Sequence, residues 1–150
     1  MNSGNHLVVF TLDDQRYGLH LSPVERIARV VDITPLPKAP DIVVGVVNVH
    51  GQIVPVLDIR KRFRLPERAV RASDRLLIAQ TPRRTVAFLV DMVSEVIELS
   101  EETIIAAAKI VPGMEYIEGV AKLKDGLILI HDIDKFLSLD EEKVLSGALG

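Results

Sequence analysis

The sequence predicts an all-β chain with short helices, folded as two copies of one small barrel side by side. Three observations carry this reading. The stretch Gly45 to Phe63, GVVNVHGQIVPVLDIRKRF, holds two short β-rich runs joined by a tight turn and ends at a helix start; a similar stretch, GVAKLKDGLILIHDIDK, begins 74 residues later at Gly119. The match extends upstream: at an offset of 69, Leu7, Val8 and Val9 fall on Leu76, Leu77 and Ile78, and Leu19, Leu21 and Val24 on Phe88, Val90 and Val93. The change of offset from 69 to 74 leaves about five extra residues in copy two, expected between Ser100 and Tyr116. Third, the apolar residues are mostly Val, Ile and Leu, with no Trp, and β-branched side chains favour strands.

The elements follow in order. His6 to Leu12 reads as a strand, Asp13-Asp14-Gln15 as a turn and Tyr17 to Leu21 as the returning strand. Ser22-Pro23 interrupts the ladder, because proline has no N–H to donate. Val24 to Val30 resumes the alternation, with Val24 displaced by a bulge or a short turn. Thr34 to Pro40 contains Pro35, Pro37 and Pro40 and predicts an irregular crossover. Val43 to Val49 and Gln52 to Leu57 form the next hairpin around His50-Gly51, where Gly51 supplies positive φ. Asp58 is placed to accept from the free N–H groups of a first helical turn. Leu65 to Ser73 is the junction between copies. Arg75 to Gln80 and Arg84 to Asp91 then pair around Pro82-Arg83, followed by a strand from Val93 to Leu99. Ile104 to Val111 reads equally as a strand or a helical turn. Gly119 to Leu123 and Leu127 to Ile130 pair across Lys124-Asp125-Gly126, and Asp132 caps a second helix start. Ser138-Leu139-Asp140-Glu141 fits a capping box for a terminal helix, which Gly147 is expected to stop.

At 150 residues the chain can bury roughly 70% of the surface its unfolded state exposes. Without cysteine, a disulfide framework and a thiolate metal site are both excluded. The start, MNSGNHLVVFTLDD, lacks a basic segment followed by a long apolar core, and no apolar run approaches a membrane span, so a cytoplasmic location is expected. A net charge of −3 argues against a protein built mainly to grip nucleic acid.

The chain carries no G-x-S-x-G elbow, no phosphate-binding glycine loop and no H-E-x-x-H pair, so no catalytic residue is named. The four histidines, at 6, 20, 50 and 131, have no ligand-like spacing. His131, Asp132 and Asp134 are the one close cluster; the reading preferred is a capping Asp beside a surface His, with neither metal nor cofactor. Arg60-Lys61-Arg62-Phe63-Arg64, with Arg68 and Arg71, would serve a nucleic-acid-binding β-barrel, the alternative function; cations near the end of a short helix explain the run more simply. Val24, Ile27, Val93 and Val96 sit on corresponding strands of the two copies. They are either barrel core or the lining of a groove between barrels that accepts an apolar helix face. Two joined barrels leave such a groove, and a groove without a catalytic constellation points to docking.

The central hairpin resembles the signature of the CheW family of bacterial chemosensory scaffolds, G-[VI]-[VIT]-N-[LV]-R-G-x-[VI]-[VI]-P-[VI]-x-[DN]-[LI]. The stretch from Phe10 to Ile27, FTLDDQRYGLHLSPVERI, is similar to that family's first hairpin, and Ala87 to Val96, AFLVDMVSEV, to its second-copy block. The likeness covers nearly the whole chain in order. It implies two SH3-like five-stranded β-barrel subdomains packed about a shared apolar interface in a single CheW-like domain, 1–150. Subdomain one would span about 5–66, subdomain two about 72–136 and the C-terminal helix about 138–147. It implies a non-catalytic adaptor coupling transmembrane chemoreceptors to a CheA-type histidine kinase. The kinase's regulatory domain would pack barrel on barrel, and the cytoplasmic tip of a methyl-accepting chemoreceptor would lie in the groove. The location would be cytoplasmic, at receptor arrays on the inner face of the membrane, and the protein a monomer in isolation. By motif, the receptor-facing candidates are Val24, Arg26, Ile27, Asn48, His50, Gly51, Val93 and Val96; Gly45 and Pro55 are assigned to backbone geometry. Two positions depart from the family pattern. His50 stands where the family usually has Arg, and Arg26 where many relatives carry an acid, so an acid–base pair across neighbouring strands is rearranged. The expectation is a scaffold for a distinct receptor subset with altered polar contacts.

Overall fold

The computed structural model describes residues 6–30, 32–99, 104–106 and 117–149. Within them the chain forms β1 (His6–Leu12), β2 (Gln15–His20), β3 (Val24–Arg29), β4 (Val43–Val49), β5 (Gln52–Asp58), β6 (Arg75–Gln80), β7 (Thr85–Val90), β8 (Met92–Glu98), β9 (Ile104–Ala106), β10 (Ile117–Leu123) and β11 (Gly126–His131). The 3₁₀ turns Ile59–Lys61 and Ile133–Lys135 and the helix α1 (Leu139–Leu149) complete it. Of the uncertain segment, Ile104–Ala106 is a strand; the remainder up to Val111 lies outside the described residues.

Turn chemistry sets the hairpins. Asp13 and Asp14, with φ of 49° and 69°, close β1 on β2, and His50 and Gly51, with φ of 50° and 85°, close β4 on β5. Both are two-residue turns with positive φ at each central position, whose twist suits paired strands. The duplication appears as repeated irregularities. The ladder shifts register between Val24 and Arg26 and again at the equivalent place on β8, and between Val43 and Gly45 and again between Ile117 and Gly119. The caps repeat too: Asp58 accepts from the Arg60 amide at 3.1 Å and Asp132 from the Asp134 amide at 3.1 Å.

Neither sheet is drawn from one stretch of chain. One sheet runs β8-β1-β2-β11-β10-β9, the other β3-β6-β7-β5-β4. The first hairpin of each copy therefore joins the later strands of the other, through parallel pairings of β2 with β11 and of β7 with β5. Each sheet is an SH3-like unit, and the exchange binds the two into one body. Where the six-stranded sheet has the short β9 beside β10, the other has a single bridge, Thr34 to Val46.

The exchange explains the unbroken apolar runs. Successive strand residues face opposite ways. Leu7 and Val9 pack with Ala121, Ile128 and Ile130 inside the first barrel, while Val8, Phe10 and Leu12 join Leu57, Leu77 and Phe88 in a core shared by both sheets. Leu76 and Ile78 enter the second barrel and Leu77 and Ala79 the shared core. Strands buried on both faces read as continuous apolar sequence.

α1 opens on the predicted capping box: Ser138 Oγ accepts from the Glu141 amide at 3.0 Å, and Glu141 Oε1 from the Ser138 amide at 2.9 Å. Leu145 is fully buried in the shared core. Gly147, by contrast, does not stop the helix, which continues to Leu149. Its φ is not positive and a Cβ there would meet nothing within 4 Å. Gly147→Ala is therefore expected to raise stability by about 0.5–1 kcal/mol in chemical denaturation, through helix propensity alone; a loss would mean that the glycine has a role of its own.

Candidate docking site

β3 and β8 are the outer strands of their sheets, at equivalent positions in the two copies. Val24 on β3 and Val93 on β8 are half-buried against the same shared core. Ile27 and Val96, equally apolar, stand 45% and 48% exposed. The four sequence candidates thus divide evenly between core and surface. Met92, 59% exposed at the start of β8, adds to the apolar surface of that strand.

At the second barrel's tip, Asn48 Oδ1 accepts from the Gly51 amide at 2.8 Å, locking the β4–β5 turn. Ile53, opposite Asn48 in the ladder, is 54% exposed. Arg26 reaches from β3 to the turn, where its guanidinium donates to Nε2 of His50. The structure therefore joins Arg26 to His50 and Asn48 to Gly51, and hangs Val24 and Val93 on one core.

Arg60 and Lys61 do lie in the last turn of the 3₁₀ segment, and Arg60, Arg62 and Arg68 are also committed to partners inside the molecule. Arg60 is buried; its guanidinium donates to Asp13 and Asp91, each at 2.6 Å, and to the Pro66 carbonyl at 3.2 Å. Arg68 donates to Asp74 at 2.7 Å and also to Asp91. Arg62 donates to the Phe136 carbonyl at 2.6 Å and pairs with Glu141 on α1. Burial alone would raise the Asp91 carboxyl, but bonds from Arg60, the Asp13 amide and Arg68 outweigh it and hold Asp91 below the usual carboxylate range. This network ties the β1–β2 turn of one sheet to the 3₁₀ turn after β5 of the other, immediately before β8 begins. A nucleic-acid surface needs its charges free, and Arg60, Arg62 and Arg68 are engaged by carboxylates.

His131 is likewise not a surface residue. It is 1% exposed, with Phe63, Phe136, Tyr17 and Phe10 around it at ring-centroid distances of 4.5 to 5.4 Å. Burial pushes its pKa down to about 3. Neither ring nitrogen has a hydrogen-bond partner among the described residues, and Asp132 is occupied as a cap. The cluster His131, Asp132 and Asp134 therefore does not converge, and no group of three potential metal ligands occurs among the described residues. A cleft of about 170 Å³ between the β6–β7 turn and α1 is floored by Leu57, Val86, Phe88 and Phe136. On its rim, Glu142 is bound to Arg84 Nε at 2.7 Å.

A family model described as a CheW-like domain matches residues 6–141. The chain belongs to the CheW-like domain family. It is 30% identical over 147 residues to the chemotaxis protein CheW of Treponema pallidum, covering 94% of this chain and 86% of that protein. It is 30% identical over 140 residues to that of Klebsiella aerogenes, covering 92% and 84%. The crystal structure of a scaffolding protein, TtCheW from Thermoanaerobacter tengcongensis, superposes with a TM-score of 0.83 at 29% identity, over 94% of this chain and 92% of that one. On this CheW-like frame the rearranged residues 26 and 50 still meet, as an arginine on an imidazole rather than an acid–base pair. Three features escaped sequence reasoning: Ile53 and Met92 as exposed apolar groups, and Asp91 as the junction of two arginines. The exposed pair carries no sequence signal, because Met92 is exposed on a strand that ends its sheet and Ile53 on the part of β5 beyond its pairing with β7, and neither fact is local. Asp91 lies in the AFLVDMVSEV block, but its partners come from distant turns.

Proposed function

We propose that this chain, a chemotaxis coupling adaptor, joins a transmembrane chemoreceptor to a CheA-type histidine kinase and catalyses no reaction itself. The observation that carries this is the pair of outer strands, β3 and β8, which rest on one shared core yet leave Ile27 and Val96 exposed at equivalent positions. An amphipathic helical hairpin laid along them meets apolar side chains, with Arg26, Asn48 and His50 as the polar edge. The kinase's regulatory domain binds elsewhere, barrel against barrel. The adaptor works in the cytoplasm beside receptor arrays, as a monomer when alone; no described helix is long and apolar enough to cross a membrane. Small interfaces used together gain strength from avidity.

Ile27→Glu and Val96→Glu are the test. Burying a charge at a docking face is expected to weaken binding of a receptor cytoplasmic fragment at least about tenfold, with kinase binding unchanged and receptor-dependent stimulation of kinase phosphorylation lost. Both side chains are exposed, so the fold is expected to hold. Unchanged receptor binding in both variants would sink the reading.

A further inference from the structure

Arg26 is an exposed arginine at the candidate docking edge. Arg16, Arg60, Arg62, Arg68 and Arg84 each face a carboxylate. Arg26 has no carboxylate partner among the described residues; its guanidinium donates to His50 instead. A guanidinium only donates, so Nε2 of His50 must offer its lone pair, and the neutral ring then carries its proton on Nδ1. Asn48 turns its carbonyl oxygen to the Gly51 amide, which leaves its NH₂ group as the outward one. Three exposed side chains, on β3, near the end of β4 and in the turn that follows it, thus present donors: the remaining Arg26 N–H groups, the Asn48 amide and His50 Nδ1–H. Exposed Ile53, opposite Asn48 in the ladder, lies beside this patch. Covering it with apolar surface would bury a cation unpaired, which costs far more than the contact returns.

We infer that this tip takes a carboxylate from its partner: a Glu or Asp on the receptor's helical hairpin, held by Arg26 and flanked by His50 and Asn48. The inference rests on the docking reading above and names the residue that selects among receptors. A guanidinium grips a carboxylate through two parallel N–H donors, giving geometric selectivity as well as charge. A hairpin with a basic or neutral residue there would leave Arg26 unpaired and be rejected.

The experiment measures affinity for the soluble cytoplasmic hairpin of a chemoreceptor from the same organism, with each acidic residue of its tip changed singly to arginine. Arg26→Glu is expected to weaken binding of the natural hairpin at least about tenfold and to be rescued by one charge-reversed hairpin, which the unaltered adaptor in turn binds poorly. Arg26→Glu binding the natural hairpin as tightly as the unaltered adaptor overturns the inference; so does weakening that no reversed hairpin rescues. Ile27→Glu separates the two levels. If it abolishes binding while Arg26→Glu leaves it intact, docking stands and the carboxylate falls. If neither matters, the docking reading itself falls. Matched thermal melts confirm that both variants are folded.

Discussion

Acidification from neutral pH is expected to unfold this protein largely through one side chain. His131 is sealed among aromatic rings with both ring nitrogens unpartnered, and burial lowers its pKa from 6.5 to about 3. The unfolded chain takes up a proton near pH 6.5, the folded chain only near pH 3. The neutral ring's contribution is therefore complete above pH 6.5 and is lost progressively as pH falls towards 3. Each unit of separation is worth about 1.4 kcal/mol, so the loss by pH 3 amounts to roughly 5 kcal/mol, comparable to the whole stability of many domains. The control is His131→Leu, since the equivalent position in the first copy is Leu57, 1% exposed. Leu there removes two unsatisfied buried nitrogens, and about 1–3 kcal/mol of added stability is expected at pH 7. Asp91 and Glu141, both held below the usual carboxylate range, lose stability in acid in either protein, so the difference between the two urea-denaturation profiles isolates the histidine. Parallel profiles from pH 7.5 to 4 would refute the assignment.

His131 also marks where sequence reading stopped. Its neighbour Asp132 was legible as a cap, because capping needs only an acceptor and the amide two residues on. The two-residue turn at His50-Gly51 and the box from Ser138 to Glu141 were legible for the same reason: their causes lie within a few residues. The burial of His131 depends on Phe10 and Tyr17, which reach it because the first hairpin crosses into the sheet of β10 and β11, and on Phe63, which comes from beyond β5 of the other sheet. A repeat seen in sequence says that two units exist; it does not say which unit a hairpin joins. The uninterrupted runs Leu7 to Phe10 and Leu76 to Ala79 carried a trace of that exchange, being too apolar for strands with one wet face. The candidate site divides along the same line. The likeness to CheW proteins implied that positions 26 and 50 belong to one rearranged polar pair; that Arg26 donates to His50 came only from the structure. That Ile27 and Val96 are exposed while Val24 and Val93 are half-buried follows from β3 and β8 ending their sheets, which no local pattern records.

Gly45→Ala is expected to damage both fold and docking, because a Cβ there would lie 2.4 Å from the Thr34 carbonyl oxygen and 2.8 Å from Ile33 Cγ2. The carbonyl cannot retreat cheaply. It accepts from the Val46 amide at 2.8 Å, while the Thr34 amide donates to the Val46 carbonyl at 2.9 Å. These two bonds are the bridge that holds the crossover after β3 against β4. Relieving the clash means breaking them, at about 0.5–1.5 kcal/mol each, in addition to the roughly 1–3 kcal/mol of an overfilled site. A total near 4 kcal/mol corresponds to a fall in Tm of roughly 8–16 °C for a chain of this size. Gly51→Ala gives the contrast: nothing lies within 4 Å of a Cβ there, and only its φ of 85° is strained, so a loss of about 1 kcal/mol is expected. The bridge also anchors, on β4, the crossover that leads from β3, which carries Arg26, to the strand that ends at the His50 turn. Receptor binding should therefore weaken in Gly45→Ala even at temperatures where the variant is fully folded. A variant that melts within a few degrees of the parent would show that the crossover can move, and that the closure at Thr34 does not position the docking edge.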